Sequence, residues 1–325
     1  MCCHNGNYYP ALFIENKEQD ISKLLENIVP EERDFSGIHK KIKKIENKLS
    51  HLWNGPTYVL RHIENKFLTR LTCSIGAYFD TLISSSELSV ELMSAISQYA
   101  DPPTIYKYMP IRQNIHASLR GSSAVAQAWS GNGRSAALSI SCLLAIKNNN
   151  TYHGCFRRRS QKVAEDAGLY HVVPSMILQP EPGKSSNAKN FDIKNCILRE
   201  VAEELFAVAE GDNSWKKHPA IKALNQLLDN GGAELTVTGF AMCLIDLRPE
   251  ILALLMIHDQ SWYTTYADTF DICTFEYEET TDKTLHNLNK TEVLGPSGLF
   301  SVENSVVAGA ACIIAGMPHI EKQLQ

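Results

Sequence analysis

No two cysteines in this 325-residue chain stand at the C-x-x-C spacing of zinc and redox sites. The nine cysteines are odd in number, scattered and mostly inside apolar runs, which reads as buried reduced thiols in a reducing compartment. "MCCH" at the start has no second ligand pair at a useful spacing. It reads as a terminus without fixed structure rather than a metal clip. A basic excess is also missing: the net charge is −5, so no global pull toward nucleic acid or anionic membrane is expected. The most apolar long segment, "SVVAGAACIIAGM" at 305 to 317, falls short of the about 20 residues that span a bilayer and reads as a buried helix. The N-terminus lacks an apolar signal core. The expectation is a soluble, cytoplasmic chain with no membrane partner. Residues 1 to 130 contain no Gly-rich phosphate loop and no metal-ligand cluster, and no internal repeat or low-complexity tract is visible.

What is present is an ordinary globular composition, 44% hydrophobic and 21% charged, with room for one large or two modest domains. "HKKIKKIENKL" places Ile42, Ile45 and Leu49 on one stripe and reads as a basic amphipathic helix packed on the domain. "WNGPTYVL" and "KFLTRLTCS" read as strands, and "SSELSVELMSAISQYA" as a helix with a serine and a glutamate placed to cap it. The Gly- and Ser-rich stretch at 120 to 135 marks the candidate boundary. It separates an N-terminal accessory α+β subdomain, 1 to 130, from a second domain, 131 to 325.

After that boundary, "AALSISCLLAIK" and "YHGCFRRRS" read as strands joined by the turn "NNNT". "GLYHVVPSMIL" reads as a strand interrupted near Pro174. An acidic helix follows, then a helix around "HPAIKALNQLLDN". Strands at "AELTVTGFAMCLID", "ILALLMIHD" and "FDICTFEYEE" precede the apolar C-terminal helix. Mixed order without βαβ alternation gives an α+β fold, a mixed sheet between helices.

The chemistry concentrates in "NCILREVAEELF", 195 to 206. On a helical wheel Ile197, Leu198, Val201, Leu205 and Val208 form one apolar stripe, with Glu200, Glu203 and Glu204 beside it. Glu204 falls at the edge of the buried face. Three carboxylates on adjoining turns repel, and no lysine in the central turns relieves them. A hard cation among their oxygens would. The alternative is an exposed acidic face with Arg199 as its ion-pair partner.

"REVAEEL" resembles the core of the Nudix box, G-x5-E-x7-R-E-U-x-E-E-x-G-U, where U is bulky and apolar. Arg199, Glu200, Val201, Glu203 and Glu204 fill the helical half. The loop half departs: Phe191 stands at the first glutamate, Ser185 at the opening glycine and Phe206 at the closing glycine. "CFRRRSQKVAEDAGLYHVVPSMILQP" looks like the lead-in to such a box, and the resemblance covers about residues 135 to 320. It implies an α/β/α sandwich around a mixed sheet. It also implies a metal-dependent hydrolase of a nucleotide or other nucleoside-diphosphate-linked small molecule. In that reading Glu200, Glu203 and Glu204 hold Mg²⁺ (or Mn²⁺), and Arg199 orients a glutamate. Replacing Glu204 by Gln is expected to cost about a hundredfold in rate with folding nearly unaffected. The departures leave a second expectation, a catalytically silent nucleotide-binding sensor.

Arg157, Arg158 and Arg159 are candidate phosphate contacts, with Arg158 and Arg159 taken as substrate-binding. Trp262, with Tyr263 and Tyr266, is a candidate stacking platform whose alternative is core. Glu276, Glu278 and Glu279 offer a general base or a solvated strand end. His171 and His258 read as structural. Residues 1 to 130 are expected to pack on the second domain, supplying cleft walls or a homodimer surface.

Overall fold

The computed structural model describes residues 2–4, 7–30, 54–99, 102–121, 128–163, 166–180, 190–209, 213–272, 277–278, 285–288, 293–295 and 298–325. The basic helix expected at 39 to 49 and half of the strand expected at "FDICTFEYEE" lie outside them.

The first residues are built into the fold. β1 (Cys2–His4) pairs antiparallel with β2 (Asn7–Tyr9), and Cys2 is buried. The terminus expected to lack structure is therefore a hairpin, held by the apolar core beneath Cys2 and Tyr9 and by the Tyr9 hydroxyl donating to the Phe300 carbonyl. β3 (Ala11–Glu15) follows, then β4 (Leu25–Ile28), β5 (Pro56–Asn65) and β6 (Thr69–Ala77). The last three form a sheet in the order β4-β6-β5. Four helices come next: α1 (Tyr78–Ser84), α2 (Ser86–Gln98), α3 (Pro102–Ile105) and α4 (Pro110–Ser118). The serine expected to cap α2 does not do so. Ser85 has helical dihedrals, and its hydroxyl donates instead to the Ser135 carbonyl at 3.1 Å.

The main sheet is built around β7 (Ser139–Asn148), buried on both faces from Ser139 to Ile146, as its near-continuous apolar run requires. β7 turns into β8 (Thr151–Gly154); β9 (Phe156–Arg158) and β10 (Tyr170–Val172) pair separately; β11 (Ser175–Ile177) returns to β7. The break expected near Pro174 is there, between β10 and β11. After α5 (Ile193–Phe206) and α6 (Pro219–Asn230), β12 (Ala233–Cys243) and β13 (Pro249–Ile257) form a long hairpin. α7 (Gln260–Tyr266), β14 (His286–Asn287) and α8 (Val307–Gln323) complete the elements that position the site. The seven-stranded sheet runs β14-β8-β7-β13-β12-β3, with β11 also on β7, and β7 and β13 are parallel.

Side-chain alternation divides the sheet's two faces. Ile140, Cys142, Leu144, Ile251, Ala253 and Leu255 face a core shared with Ile197, Val201 and Leu205 of α5 and with Ile221 and Leu224 of α6. Leu143, Ala145, Leu252, Leu254 and Met256 face the other core, under Ala310, Ile313 and Met317 of α8. The fold is α+β: a mixed sheet with helices on both faces. Residues before 130 take part directly, because β3 pairs with β12 at the sheet edge. β5 is also stitched to the start of β7: the Leu138 amide donates to the Tyr58 carbonyl at 2.8 Å and the Leu60 amide to the Ala136 carbonyl at 2.9 Å.

Candidate functional site

α5 starts where its sequence says it should. The Asp192 side chain accepts from the Asn195 amide at 2.9 Å, satisfying one of the helix's orphan donors. Phe191, at the glutamate position of the box, is buried and meets the Tyr58 ring edge-on at 5.1 Å. A carboxylate there would face this aromatic packing. Phe206, at the glycine position, is also buried, against Trp262 and Phe270. The chain leaves the helix one residue later, at Ala207, with φ 48°. Both departures from the box are therefore core positions.

The three glutamates of α5 point in two directions. Arg199 Nη2 lies 3.1 Å from Glu200 Oε1, and Arg199 Nε lies 3.8 Å from Glu203 Oε1. These side chains are largely enclosed, with 17% of Arg199, 14% of Glu200 and 11% of Glu203 exposed. Burial works against the guanidinium's charge, but Glu200, then Cys196 and Glu203, together more than offset it, so its pKa rises. Glu204 is turned into the protein and only 3% exposed. Its Oε2 accepts from the Ser175 amide and its Oε1 from the Tyr277 hydroxyl, each at 3.1 Å.

Arg157 is buried. Burial pushes the neighbouring Cys155 thiol up to about 11, with Arg157 opposing and Glu204 adding, which puts both charges near that sulfur. Arg157 Nη1 also donates to the Phe156 carbonyl at 2.7 Å. Arg158 is exposed and stands 3.9 Å from Glu278. Exposed pairs of this kind contribute little. Arg159 is half-buried. It lies close enough to His171 to help lower the imidazole's pKa, although burial is the larger cause.

The remaining expected site residues are dispersed. Trp262 is 2% exposed, its Nε1–H donates to the Ala220 carbonyl at 2.9 Å, and its ring lies among Phe206, Phe270 and Tyr266. It belongs to the core between α5, α6 and α7 rather than to an open stacking surface. His258 Nδ1 is 2.6 Å from the Tyr152 hydroxyl. Glu276 and Glu279 lie outside the described residues.

A divalent cation fits this arrangement poorly. It needs several carboxylate oxygens turned to one point. Here one guanidinium already occupies the space between Glu200 and Glu203, and both oxygens of Glu204 accept from protein donors inside the core. Among the described residues, no group of three His, Cys, Asp or Glu side chains is placed to hold a metal ion.

Two residues with clear chemistry escaped the sequence reading. Tyr277 sits in a charged stretch, with nothing to signal that it closes over Glu204. Glu250 opens the apolar strand "PEILALLMI"; a lone carboxylate at the start of a buried run was its only signal. Burial pushes its carboxyl up to about 7, against the hydrogen bond from Ser141 and the charge of Arg248. In comparisons with known proteins, no family model and no curated protein matches this chain.

Proposed function

We propose that this chain is a nucleotide-binding module on a Nudix-like frame, one that senses its ligand without metal-dependent hydrolysis. Support for the frame is the order Arg199-Glu200-Val201-x-Glu203-Glu204 on a helix that covers one face of a mixed sheet, with α8 on the other. One observation carries the choice of binding over turnover: Arg199 neutralises Glu200 and Glu203, while Glu204 is committed to Ser175 and Tyr277. Of the three candidate arginines, Arg158 and Arg159 keep surface open to an anionic ligand.

Metal-dependent pyrophosphohydrolysis is the competing reading. It requires Arg199 to release two carboxylates and Glu204 to leave two buried donors that then lack an acceptor. The test is a panel of nucleoside diphosphates and ADP-ribose, with chelator or with Mg²⁺ or Mn²⁺, read by calorimetry, melting temperature and mass spectrometry of products. The expected result is saturable binding and thermal stabilisation in chelator, with no product under any condition. Metal-dependent product that disappears in Glu203→Gln would overturn the proposal in favour of the hydrolase.

A further inference from the structure

α2 (Ser86–Gln98) carries Val90, Met93 and Ile96 at 68%, 61% and 50% exposure. Among the described residues no other helix or strand holds three exposed large apolar side chains. Single exposed apolar residues are ordinary on a surface, whereas an aligned set marks a contact. Successive helical residues turn by about 100°, so a spacing of three keeps these side chains on one face about 120° wide. The buried Leu88, which packs with Ile115 of α4, and the buried Ala95 lie on the opposite face. α2 is therefore fastened on its inner side and bare on its outer side.

The outer face carries no charge. The ionisable side chains of α2 are Glu87 and Glu91, and the same helical wheel puts both on the flank away from the stripe. Glu91 is taken up by α4, accepting from the Ile111 amide at 2.5 Å and the Arg112 amide at 3.2 Å. The polar groups between the apolar residues are serines, and their own helix satisfies them. Ser89 Oγ donates to the Ser86 carbonyl at 2.8 Å, and Ser97 Oγ to the Ser94 carbonyl at 2.9 Å. A neighbour can cover this face without stranding a hydroxyl or a charge, provided that its own contact surface is uncharged and apolar.

The order of residues selects the occupant. Counted outward from Met93, the face has Val90 and Ile96 at three positions, then Ser89 and Ser97 at four. It reads the same in both directions, β-branched apolar and then serine. A two-fold axis requires that symmetry, because in an isologous contact a surface meets itself reversed. Two antiparallel copies of α2 crossing at Met93 set Val90 against Ile96 of the partner subunit at both ends of the contact. Val and Ile are stiff at χ1 in a helix, so little side-chain freedom is lost, and the flexible Met93 adapts to its own copy on the axis. At 13 residues α2 is about 20 Å long. That is too short to bury by itself the roughly 1,200–2,000 Å² of a stable interface, so the pairing is weak and depends on concentration.

We propose that α2 is a self-association surface, pairing antiparallel with α2 of a second copy of this chain about a two-fold axis through Met93. This gives residues to the homodimer surface expected before 130 and is independent of the nucleotide-binding reading. The test is sedimentation velocity of the full chain in reducing buffer, from about 1 to about 500 µM. The samples are the parent, Val90→Lys, Ile96→Glu, and an equimolar mixture of the two variants. The parent is expected to shift from one chain toward two as its concentration rises. Each variant alone is expected to remain a single chain, because its pairing would bury two unpaired charges. Melting temperatures of the variants should match the parent's at the lowest concentration, since both positions are exposed. The mixture is expected to recover the dimer: the introduced ammonium of one chain then meets the introduced carboxylate of the other, and Ile96 meets Val90 at the far end. A parent that stays a single chain at every concentration would overturn the proposal. So would a dimer that both variants leave intact, or a mixture that fails to recover it.

Discussion

Glu204 occupies the border of the buried face on a helical wheel, and the fold takes it inside. The surface-like expectation, that Glu204→Gln leaves folding nearly unaffected, is revised by its two partners. Glutamine replaces one acceptor with a donor, so either the Ser175 amide or the Tyr277 hydroxyl faces an N–H. Urea denaturation should show a loss of about 1–3 kcal/mol for Glu204→Gln, and about 1 kcal/mol for Tyr277→Phe. A Glu204→Gln protein as stable as its parent would remove the buried-acceptor account. Glu250 gives a second outcome at this scale. Its folded pKa is raised from 4.5 to about 7, so between those values the folded state holds more protons than the unfolded state. Stability is then unpenalised below the unfolded pKa and falls as pH rises toward 7. Melting temperatures from pH 4.5 to 8 should show that decline in the parent, superimposed on other titrations, and a flatter curve in Glu250→Gln. Equal slopes would contradict it.

α5 was legible along most of its length because its main determinant is local, an apolar stripe at helical period; the cap that Asp192 supplies was found only in the fold. Its end was not. The box would close with glycine at 206, but the fold places Phe206 in an aromatic cluster and gives the left-handed position to Ala207. A Cβ in that region is unfavourable, so Ala207→Gly is expected to stabilise the protein by about 0.5–1 kcal/mol, measured as a shift in denaturation midpoint. A loss of stability would show that the alanine methyl contributes more by packing than the backbone gains. The "YHGCFRRRS" strand divides into β8 and β9 because its halves pair with different partners, β7 and β10, a non-local choice that its composition does not reveal.

Across the molecule, the residues before 130 are held to the main sheet by the buried Arg112 as well as by strand pairing. Arg112 of α4 donates to the Leu244 carbonyl at 3.1 Å and to that of Ile245, and to Leu88 of α2 at 3.4 Å. Arg134 donates to the Leu247 carbonyl at 2.9 Å. Both reach the connection between β12 and β13, so that short turn is tied to two different parts of the chain. Arg112→Ala should cost about 2–4 kcal/mol, because three carbonyls, that of Leu88 buried, lose their donor together. Hydrogen exchange should report the loss in α2, α4 and residues 244 to 248. An exposed-arginine response, within about 0.5 kcal/mol, would mean that Arg112 does not fasten these parts.

The sequence by itself determined the elements whose cause is short-range: the amphipathic α5, the largely apolar β7 and β13, the interruption at Pro174 and the buried C-terminal helix. Each follows from residue spacing or from one backbone restriction. Only the tertiary structure decided what the charged residues do. A carboxylate's role depends on what lies within a few ångströms of it, and those neighbours come from distant parts of the chain. Glu204 meets Ser175 and Tyr277, which lie 29 and 73 positions away in the sequence. Ser139 and Glu250 stand together because β7 and β13 pair in parallel. The glutamates that sequence order groups on one helix are separated by burial, and hydroxyl and carboxylate groups from separate strands are joined by register.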